Sequence, residues 1–344
     1  MGKIKVGITQ GDINGIGYEI IIKTFLDSRM FDFCTPIVYG SPKVGAYHRN
    51  AIKVNNFTFN NIINPEKAHP RRVNIIDCLD DNTRVELGRS TQTAGMGSFL
   101  ALEKATKDLE EGKIDVLVTA PINKNNIQSD KFNFKGHTEY LQKKFGKGEV
   151  LMLMISDTLR VGVVAGHIPL REVPDFITKD RILAKLEIMN KTLKTDFNIS
   201  KPKIAVLGLN PHAGDNGTIG SEETETIIPA IEEARNNGIM ALGPFAADGF
   251  FGSDTYKKFD GILSMYHDQG LTAFKALAFD TGVNYTAGLS IIRTSPAHGT
   301  AYEIAGKNKA SHKSFMEALF MAIDCYKNRN NIEELQENAL EINE

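Results

Sequence analysis

Short apolar runs alternate with helix-like segments along the whole chain, and this alternation constrains the fold more than any other feature of the sequence. Runs of Val, Ile, Leu and Met bounded by Gly or Pro are typical of strands buried in parallel sheets. Segments with apolar side chains three and four residues apart are typical of helices that pack on such a sheet. The alternation predicts the α/β class, with largely parallel sheets and helices on their faces.

The pattern predicts specific elements. The predicted strands are residues 6–9, 35–39, 73–76, 115–119, 160–165, 203–209 and 261–265. The predicted helices are residues 20–26, 91–111, 180–195, 222–235 and 313–326. The chain after Lys327 is polar, and we expect it to fray.

The length of 344 residues favours two domains over one core. Two segments, 121–134 and 293–299, are candidate crossovers between them. The first domain is predicted to comprise residues 1–130 plus 296–344, and the second to be an inserted α/β domain over 131–295. The inserted domain carries the candidate metal and substrate residues, and a ligand cleft is expected between the two.

Composition and charge exclude several classes of protein. A net charge of −2 argues against a broad nucleic-acid-binding surface. Three dispersed cysteines without a CxxC pair indicate neither a disulfide framework nor a zinc knuckle, and they suit a reducing cytosol. The sequence offers neither a signal-peptide apolar region nor an 18-residue apolar stretch. We therefore expect a cytoplasmic enzyme that does not act at a membrane.

Three histidines follow three of the predicted strands. His167, His212 and His267 come shortly after the runs 160–165, 203–209 and 261–265. Ligands of open α/β sheets bind beyond the carboxyl ends of the strands, where three imidazoles can hold one divalent metal. A single histidine after a strand is more often a loop residue satisfied by hydrogen bonds. Both interpretations remain open for this set.

Two glycine-containing stretches lie near the two ends of the chain. The first, GDINGIGYE at 11–19, follows a strand and opens a helix, where backbone N–H groups favour an anion. Its spacing is not the GxGxxG of dinucleotide-binding folds, and a purely packing role is the alternative. The second stretch is HGTAYEIAGKNKA at 298–310.

Both stretches resemble motifs of the metal-dependent β-decarboxylating dehydrogenases, the isocitrate and isopropylmalate dehydrogenase superfamily. One branch, the 4-hydroxythreonine-4-phosphate dehydrogenase (PdxA) family, is similar over nearly the whole chain. The strings that carry this resemblance are TAPINK (119–124), GHTEYL (136–141), GLNPHAGDNG (208–217), MYHDQG (265–270), GLSIIRTS (288–295) and HGTA (298–301). The resemblance implies two α/β/α domains of the isocitrate/isopropylmalate dehydrogenase type with an inter-domain cleft.

The resemblance also implies an activity and its residues. Family enzymes use NAD or NADP and a divalent metal to oxidise a small phosphorylated hydroxy amino acid at C3, and decarboxylation follows. The implied metal ligands are His167, His212 and His267, the histidines that follow the strands. The implied substrate-binding residues are His137, Thr138, Lys275, Asn284 and Arg293, and the implied cofactor-binding residues are His298, Gly299, Thr300 and Gly306.

The expected metal ion, the candidate catalytic base and the oligomeric state rest on three separate arguments. Three imidazoles without a thiolate suit Zn²⁺ or Co²⁺ better than Mg²⁺, so zinc is expected first. Asp248, Asp268 and Lys124 are the candidate catalytic groups, and nothing in the sequence chooses the base among them. The resemblance implies a homodimer with the active site at the subunit interface.

The chain departs from the family pattern at three positions. Ile13 and Tyr18 stand where the family commonly has proline, and Ala297 stands where it commonly has aspartate. Loss of that carboxylate bears on cofactor preference and substrate choice. The alternatives are therefore a phosphothreonate or phosphoerythronate dehydrogenase of the same family, a metal-dependent hydrolase or aldolase without a nicotinamide, and a non-catalytic phosphosugar- or metal-binding protein.

Overall fold

The computed structural model describes residues 3–80 and 82–338, and within these ranges the chain forms twelve strands and eleven α-helices. The strands are β1 (Ile4–Thr9), β2 (Cys34–Gly40), β3 (Asn60–Ile62), β4 (Asn74–Asp77), β5 (Val116–Thr119), β6 (Gly146–Ile155), β7 (Arg160–Ala165), β8 (Lys203–Leu207), β9 (Met240–Phe245), β10 (Gly261–Tyr266), β11 (Val283–Leu289) and β12 (Arg293–Pro296). The helices are α1 (Gly17–Phe25), α2 (Met30–Phe33), α3 (Pro42–Ala51), α4 (Gln92–Glu110), α5 (His137–Phe145), α6 (Val173–Phe176), α7 (Lys179–Thr195), α8 (Ile228–Asn236), α9 (Ala247–Gly252), α10 (His267–Ala278) and α11 (Lys313–Glu337). This content confirms the α/β class.

The chain divides into two compact units. Unit 1 comprises Met1–Lys143 and Ile291–Tyr326, and unit 2 comprises Lys144–Ser290 and Lys327–Glu344. The sequence-based division assigned residues 131–295 to the inserted domain and residues 296–344 to the first domain.

Unit 1 contains an all-parallel array of strands in the order β3-β4-β2-β1-β5-β12. Strands β2 and β5 are buried along their whole length, as expected for parallel strands covered on both faces. Helix α4 packs against β1, β2 and β5. It begins where the Thr91 side chain accepts a hydrogen bond from the Ala94 N–H, a standard helix N-cap.

Unit 2 contains strands in the order β11-β6-β7-β10-β8-β9. Strands β7, β10, β8 and β9 are parallel, whereas β6 is antiparallel to both β7 and β11. Successive residues of a strand face opposite sides of the sheet. A Cβ built on Gly162 would meet Met189 of α7, while neighbouring Val161 lies against Gly270 of α10. Helices α7 and α10 therefore cover opposite faces.

All the predicted strands and helices occur, with shifted ends. Two expectations differ from the structure in another respect. The segment predicted as one helix over 222–235 begins with a π-helical turn, Glu223–Ile227, before α8. The chain after Lys327 was expected to fray, and this expectation is wrong as far as Glu337, where α11 ends. Tertiary contacts hold this part of the helix, because Arg329 forms an ion pair with Asp196 at 2.6 Å.

Among the described residues, no helix combines the length and apolar character that crossing a membrane requires. Among the described residues, Cys34, Cys78 and Cys325 form no disulfide, and burial raises the pKa of Cys34 to about 12.

Candidate active-site residues in the two units

The three histidine-bearing segments of unit 2 leave the same edge of its sheet. Strands β7, β10 and β8 are parallel neighbours, so their carboxyl ends lie side by side. His167 lies two residues beyond β7 and is exposed, while His267 is the first residue of α10. Their ring centroids are 5.7 Å apart. The structure thus brings together two of the three imidazoles that follow the strands, those of His167 and His267.

His212 lies on the same edge in a turn of unusual backbone. Residues His212–Gly217 all have positive φ, and the His212 side chain is exposed. Over residues 3–80 and 82–338, the structure contains no group of three or more His, Cys, Asp or Glu side chains arranged to hold a metal ion. It therefore pairs His167 with His267 and does not bring His212 into one ligand group with them.

Gln269 connects the two histidine motifs of β8 and β10. Its Oε1 accepts a hydrogen bond from the Met265 N–H at 2.7 Å, and its Nε2 donates to the Gly208 carbonyl at 2.6 Å. The amide therefore bridges the ends of the two neighbouring strands. Its position in MYHDQG was visible in the sequence, but its bridging role required the strand order.

The candidate carboxylates of unit 2 differ in their surroundings. Asp268 is exposed, and its Oδ1 lies 2.7 Å from His267 Nδ1, a contact that fixes the ring orientation. Asp248 is exposed in the first turn of α9, where its Oδ1 accepts the Gly249 N–H. Helix α9 packs against the turn that carries His212. Asp268 thus orients the His267 ring, whereas Asp248 is a solvated carboxylate on the helix that packs against the His212 turn.

Two candidate substrate residues of unit 2 lie on separate elements. Lys275 is exposed on α10. Asn284 lies on β11, and its buried Oδ1 has no hydrogen-bond partner among the described residues. Such a buried polar atom requires a partner, which a ligand can supply.

Arg293 is the centre of a buried cationic group in unit 1. It lies on β12 and is 3% exposed, and its Nε and Nη2 donate to Thr119 Oγ1 at 3.1 and 2.6 Å. Burial lowers the pKa of Arg293 to about 9, and the Glu139 carboxylate acts in the opposite direction. The sequence did not identify Thr119 as its partner, although TAPINK contains it.

His137 begins α5 close to this guanidinium. Burial, followed by the positive charges of Arg293 and Lys124, holds the pKa of His137 well below its ordinary value. Its Nε2 is buried without a hydrogen-bond partner in the described part of the chain. Thr138 follows in the same first turn, half-buried. A neutral imidazole beside two cations makes an anion the matching ligand, because an anion would offset the charges.

The two glycine stretches of unit 1 pack against each other. The Ile16 N–H donates to the Thr300 carbonyl at 3.1 Å, and a Cβ on Gly15 would lie only 2.7 Å from that oxygen. Glycine is required there by close backbone approach, which supports the packing role for the first stretch. Tyr302 Oη donates to Asp12 Oδ2 at 2.7 Å and reinforces the contact.

The candidate cofactor residues lie in the second of these stretches. His298 Nδ1 contacts the Gly299 carbonyl at 3.1 Å, while its Nε2 is buried and has no partner within the residues described. Burial also lowers the pKa of His298, so the ring is neutral. Gly299 is exposed, and Gly306 has a φ of 71°. His298 therefore offers one unused ring nitrogen to a ligand.

The departures at positions 13 and 18 lie together. Tyr18 is fully buried, and its Oη accepts the Ser41 N–H and lies 2.8 Å from Gln10 Oε1. His48 Nε2 lies 2.7 Å from the Ile13 carbonyl, and the His48 ring lies 5.2 Å from the Tyr18 ring. The Tyr18 side chain therefore has a structural role in unit 1, whereas the contact of Ile13 is through its backbone carbonyl, which proline would also supply.

The third departure, Ala297, lies before the HGTA stretch. Its N–H donates to Ser314 Oγ at 3.0 Å, which ties the backbone to the start of α11. Nothing else in the structure explains the absence of a carboxylate at this position.

Curated relatives cover nearly the whole chain. A protein of Bacteroides thetaiotaomicron, named 4-hydroxythreonine-4-phosphate dehydrogenase, is 55% identical over 95% of this chain and 90% of its own length. A protein of Oceanobacillus iheyensis, named putative D-threonate 4-phosphate dehydrogenase, is 38% identical over 93% and 97%. Both names describe dehydrogenases, and neither supports the hydrolase, aldolase or non-catalytic alternatives.

Solved structures agree with the fold. A 4-hydroxythreonine-4-phosphate dehydrogenase from Klebsiella pneumoniae superposes with a TM-score of 0.83 at 32% identity, covering 95% of this chain and 98% of that one. Isocitrate dehydrogenase from Methylococcus capsulatus shares the fold alone, with a TM-score of 0.51 at 13% identity over 97% of this chain and 89% of that one. The predicted isocitrate dehydrogenase-like fold is confirmed.

A family model confirms the resemblance that the motifs indicated. The model described as pyridoxal phosphate biosynthetic protein PdxA matches residues 32–322. Together with the 55% identical relative, this match shows that the chain belongs to the PdxA family of pyridoxal phosphate biosynthetic proteins.

Proposed function

We propose that this chain is a 4-hydroxythreonine-4-phosphate dehydrogenase. It oxidises 4-phosphohydroxy-L-threonine at C3 with NAD or NADP, and the product loses carbon dioxide to give 3-amino-2-oxopropyl phosphate in pyridoxine and pyridoxal 5'-phosphate biosynthesis. The observation that carries the proposal is the shared edge of β7, β10 and β8, since each strand is followed by a histidine. The name of the 55% identical relative supports the same reaction.

Two of the three proposed metal ligands at that edge already lie together. His167 and His267 already have their rings 5.7 Å apart, and Asp268 engages His267 Nδ1 so that Nε2 is left for a ligand. With His212 the set would consist of three imidazoles, which suit Zn²⁺ first and Co²⁺ after it, while Mg²⁺, which prefers oxygen ligands, is the weakest candidate. When bound, such an ion would make the C3 hydroxyl easier to deprotonate and would polarise the ketone formed from it.

The residues of unit 1 suit the phosphate of the substrate. Arg293 offers a planar fork of donors held by Thr119, and the unused His137 Nε2 offers a further polar contact. Thr138 supplies a hydroxyl in the same turn of α5. From unit 2 we assign Lys275 and Asn284, whose buried Oδ1 needs a donor such as a substrate hydroxyl or ammonium group.

We assign nicotinamide binding to His298, Gly299, Thr300 and Gly306. The unused, buried Nε2 of neutral His298 fits a hydrogen bond to a nucleotide hydroxyl or amide. The nicotinamide supplies the hydride acceptor, which no side chain of the chain can provide.

The C3 hydroxyl proton needs an acceptor at the site. Asp268 already orients His267, so its role is to hold that ring. Asp248 and Lys124 remain the candidates for the base, and both side chains are exposed. Replacing each in turn would separate them, because only loss of the base should abolish turnover while the variant still binds metal and substrate.

We also propose a cytoplasmic homodimer with its active site at the subunit interface, acting on a small phosphorylated hydroxy amino acid. We expect neither a nucleic-acid partner nor a membrane partner. The net charge of −2 argues against a nucleic-acid partner, and three cysteines without a disulfide suit a reducing compartment, whereas the homodimer rests on the family resemblance.

A direct assay tests the function. The purified protein is incubated with Zn²⁺, 4-phosphohydroxy-L-threonine and NAD or NADP, and the absorbance of the reduced nicotinamide is followed. Reduction that requires both metal and substrate is expected. The absence of reduction with either nucleotide would reject the proposal.

A phosphothreonate dehydrogenase is the second candidate. The 38% identical relative has that name, and Ala297 departs from the pattern beside the cofactor residues. Running the same assay with 4-phosphothreonate decides between the two, since the true substrate should show the higher kcat/KM.

A further inference from the structure

The turn that carries His212 has a backbone that its sequence does not favour. His212, Ala213, Asp215 and Asn216 have φ between 43° and 55°, and the two glycines of the turn, Gly214 and Gly217, are also left-handed. The left-handed conformation is unfavourable for residues other than glycine, and least so for Asn and Asp. Four such residues in one turn require outside contacts that hold them.

The Glu223 carboxylate makes those contacts. It is 1% exposed, and its Oε1 accepts the N–H groups of Leu209 and Asn210, both at 2.7 Å. Its Oε2 accepts Asn210 Nδ2 at 2.9 Å. These donors belong to the residues that lead from β8 into the turn.

The same carboxylate also fills the inside of the turn. A Cβ on Gly214 would lie 2.6 Å from Glu223 Oε2, so the left-handed backbone closes directly over the carboxylate. Glu223 begins the π-helical turn Glu223–Ile227, a local distortion that often occurs at functional sites. The neighbouring Glu222 accepts a hydrogen bond from Asn210 Nδ2 at 2.7 Å. The two backbone N–H groups are bound by Glu223.

We infer that Glu223 is a positioning residue that holds the left-handed turn and thereby presents the His212 imidazole to a divalent metal. The inference rests on the proposed function, because it takes His212 as a metal ligand. Glu223 does not touch the metal or the substrate. Its three hydrogen bonds fix the backbone from which His212 projects, as outer groups fix the ligands of other metal sites.

The test compares the Zn²⁺ dissociation constants of full-length variants, measured by competition with a chromophoric chelator. E223A removes the acceptor of the Leu209 and Asn210 backbone N–H groups, and Zn²⁺ binding should weaken about 10- to 100-fold, the usual effect of losing such a partner. E223Q keeps one oxygen that can accept both backbone N–H groups, so it should recover part of the affinity. E222A is the matched control and should bind Zn²⁺ nearly as the wild type does.

A folded E223A with the wild-type Zn²⁺ dissociation constant would overturn the inference. Thermal unfolding of each apo variant reports whether it is folded. If E223A does not fold, G214A replaces it, because the added methyl group would displace the carboxylate without removing its charge. Wild-type Zn²⁺ affinity in folded G214A would then count equally against the inference.

H212A distinguishes failure of this inference from failure of the metal assignment. If H212A binds Zn²⁺ as tightly as the wild type, His212 is not a ligand and the proposed metal set is wrong. If H212A loses binding while E223A retains it, His212 is a ligand and only the positioning role of Glu223 is rejected.

Discussion

At the scale of single residues, Arg293 is the side chain whose chemistry is most constrained. A buried guanidinium is costly unless its donors are satisfied, and Thr119 accepts two of them through one hydroxyl oxygen. Burial lowers the Arg293 pKa to about 9, which means that the free site resists the positive charge. A bound phosphate would reverse this effect by supplying the opposite charge.

Replacing Arg293 by lysine should therefore weaken substrate binding while leaving a positive charge. Lysine lacks the planar fork, so we expect KM for the phosphorylated substrate to rise roughly tenfold, or about 1.4 kcal/mol. Steady-state kinetics of Arg293→Lys against the wild type measure this change. Arg71→Lys, at an exposed ion pair, is the matched control. An unchanged KM would contradict the phosphate role of Arg293.

Position 297 offers a second prediction at the residue scale. An acidic side chain in a nucleotide site accepts hydrogen bonds from the ribose 2'-hydroxyl and repels a 2'-phosphate. Ala297→Asp should therefore shift preference toward NAD, by roughly tenfold or about 1.4 kcal/mol at most. The measurement is the ratio of kcat/KM with NAD to that with NADP. An equal ratio in both proteins would show that residue 297 does not face the ribose.

At the scale of elements, the end of α11 is held by a buried polar network in unit 2. Asp196 is 1% exposed, and its two oxygens accept Nε and Nη2 of Arg329 at 2.6 and 2.9 Å. Tyr285 Oη also donates to Asp196, and the Asn328 side chain donates to its carbonyl. The polar composition of 327–337 predicted none of this, because Asp196 lies more than 130 residues earlier in the chain.

Removing Arg329 should destabilise the protein more than its position near the chain end suggests. Arg329→Leu leaves the Asp196 carboxylate buried without its cation, and we expect the free energy of unfolding to fall by about 3 kcal/mol. Urea denaturation measures this change. Asn331→Leu, at an exposed position of the same helix, should have little effect. Equal stability of the two variants would show that the network contributes nothing.

Periodicity predicted the buried parallel strands well, since β5, β7, β8 and β10 are apolar runs bounded by Gly, Pro or polar residues. It missed five strands, β3, β6, β9, β11 and β12, the last of which lies in the segment predicted as a crossover. The first residues of β6 are polar and exposed, and β9 contains Gly243 and Pro244. The sequence also identified the histidines of the shared edge. It could not predict the left-handed turn of His212, because the turn is held by Glu223, which lies outside the turn.

At the scale of the whole molecule, burial of neutral histidines makes stability depend on pH. Burial lowers the pKa of His48, His137, His298 and His312. For His48 the pKa falls from 6.5 to about 4. Above pH 6.5 this ring is neutral in both folded and unfolded chains and does not change their balance. As the pH falls below 6.5, only the unfolded chain gains the proton, so stability decreases until about pH 4.

His48 should accordingly account for a measurable part of acid sensitivity. Between pH 7 and pH 5 it should lower the free energy of unfolding by about 2 kcal/mol. Urea denaturation at both pH values, with chelator present, should show that His48→Gln loses about this much of the wild-type difference. His69→Gln, on the surface, is the control. The same pH difference in His48→Gln as in the wild type would contradict the prediction.

The Tyr18 hydroxyl also makes the residues at positions 18, 40 and 41 depend on one another. A methyl group at Gly40 would lie 2.3 Å from that hydroxyl, so glycine at position 40 must already be present before tyrosine can enter at 18. Once tyrosine is there, its loss leaves the buried Ser41 N–H without its acceptor. Replacement of Tyr18 is therefore tolerated only where another group accepts the Ser41 N–H.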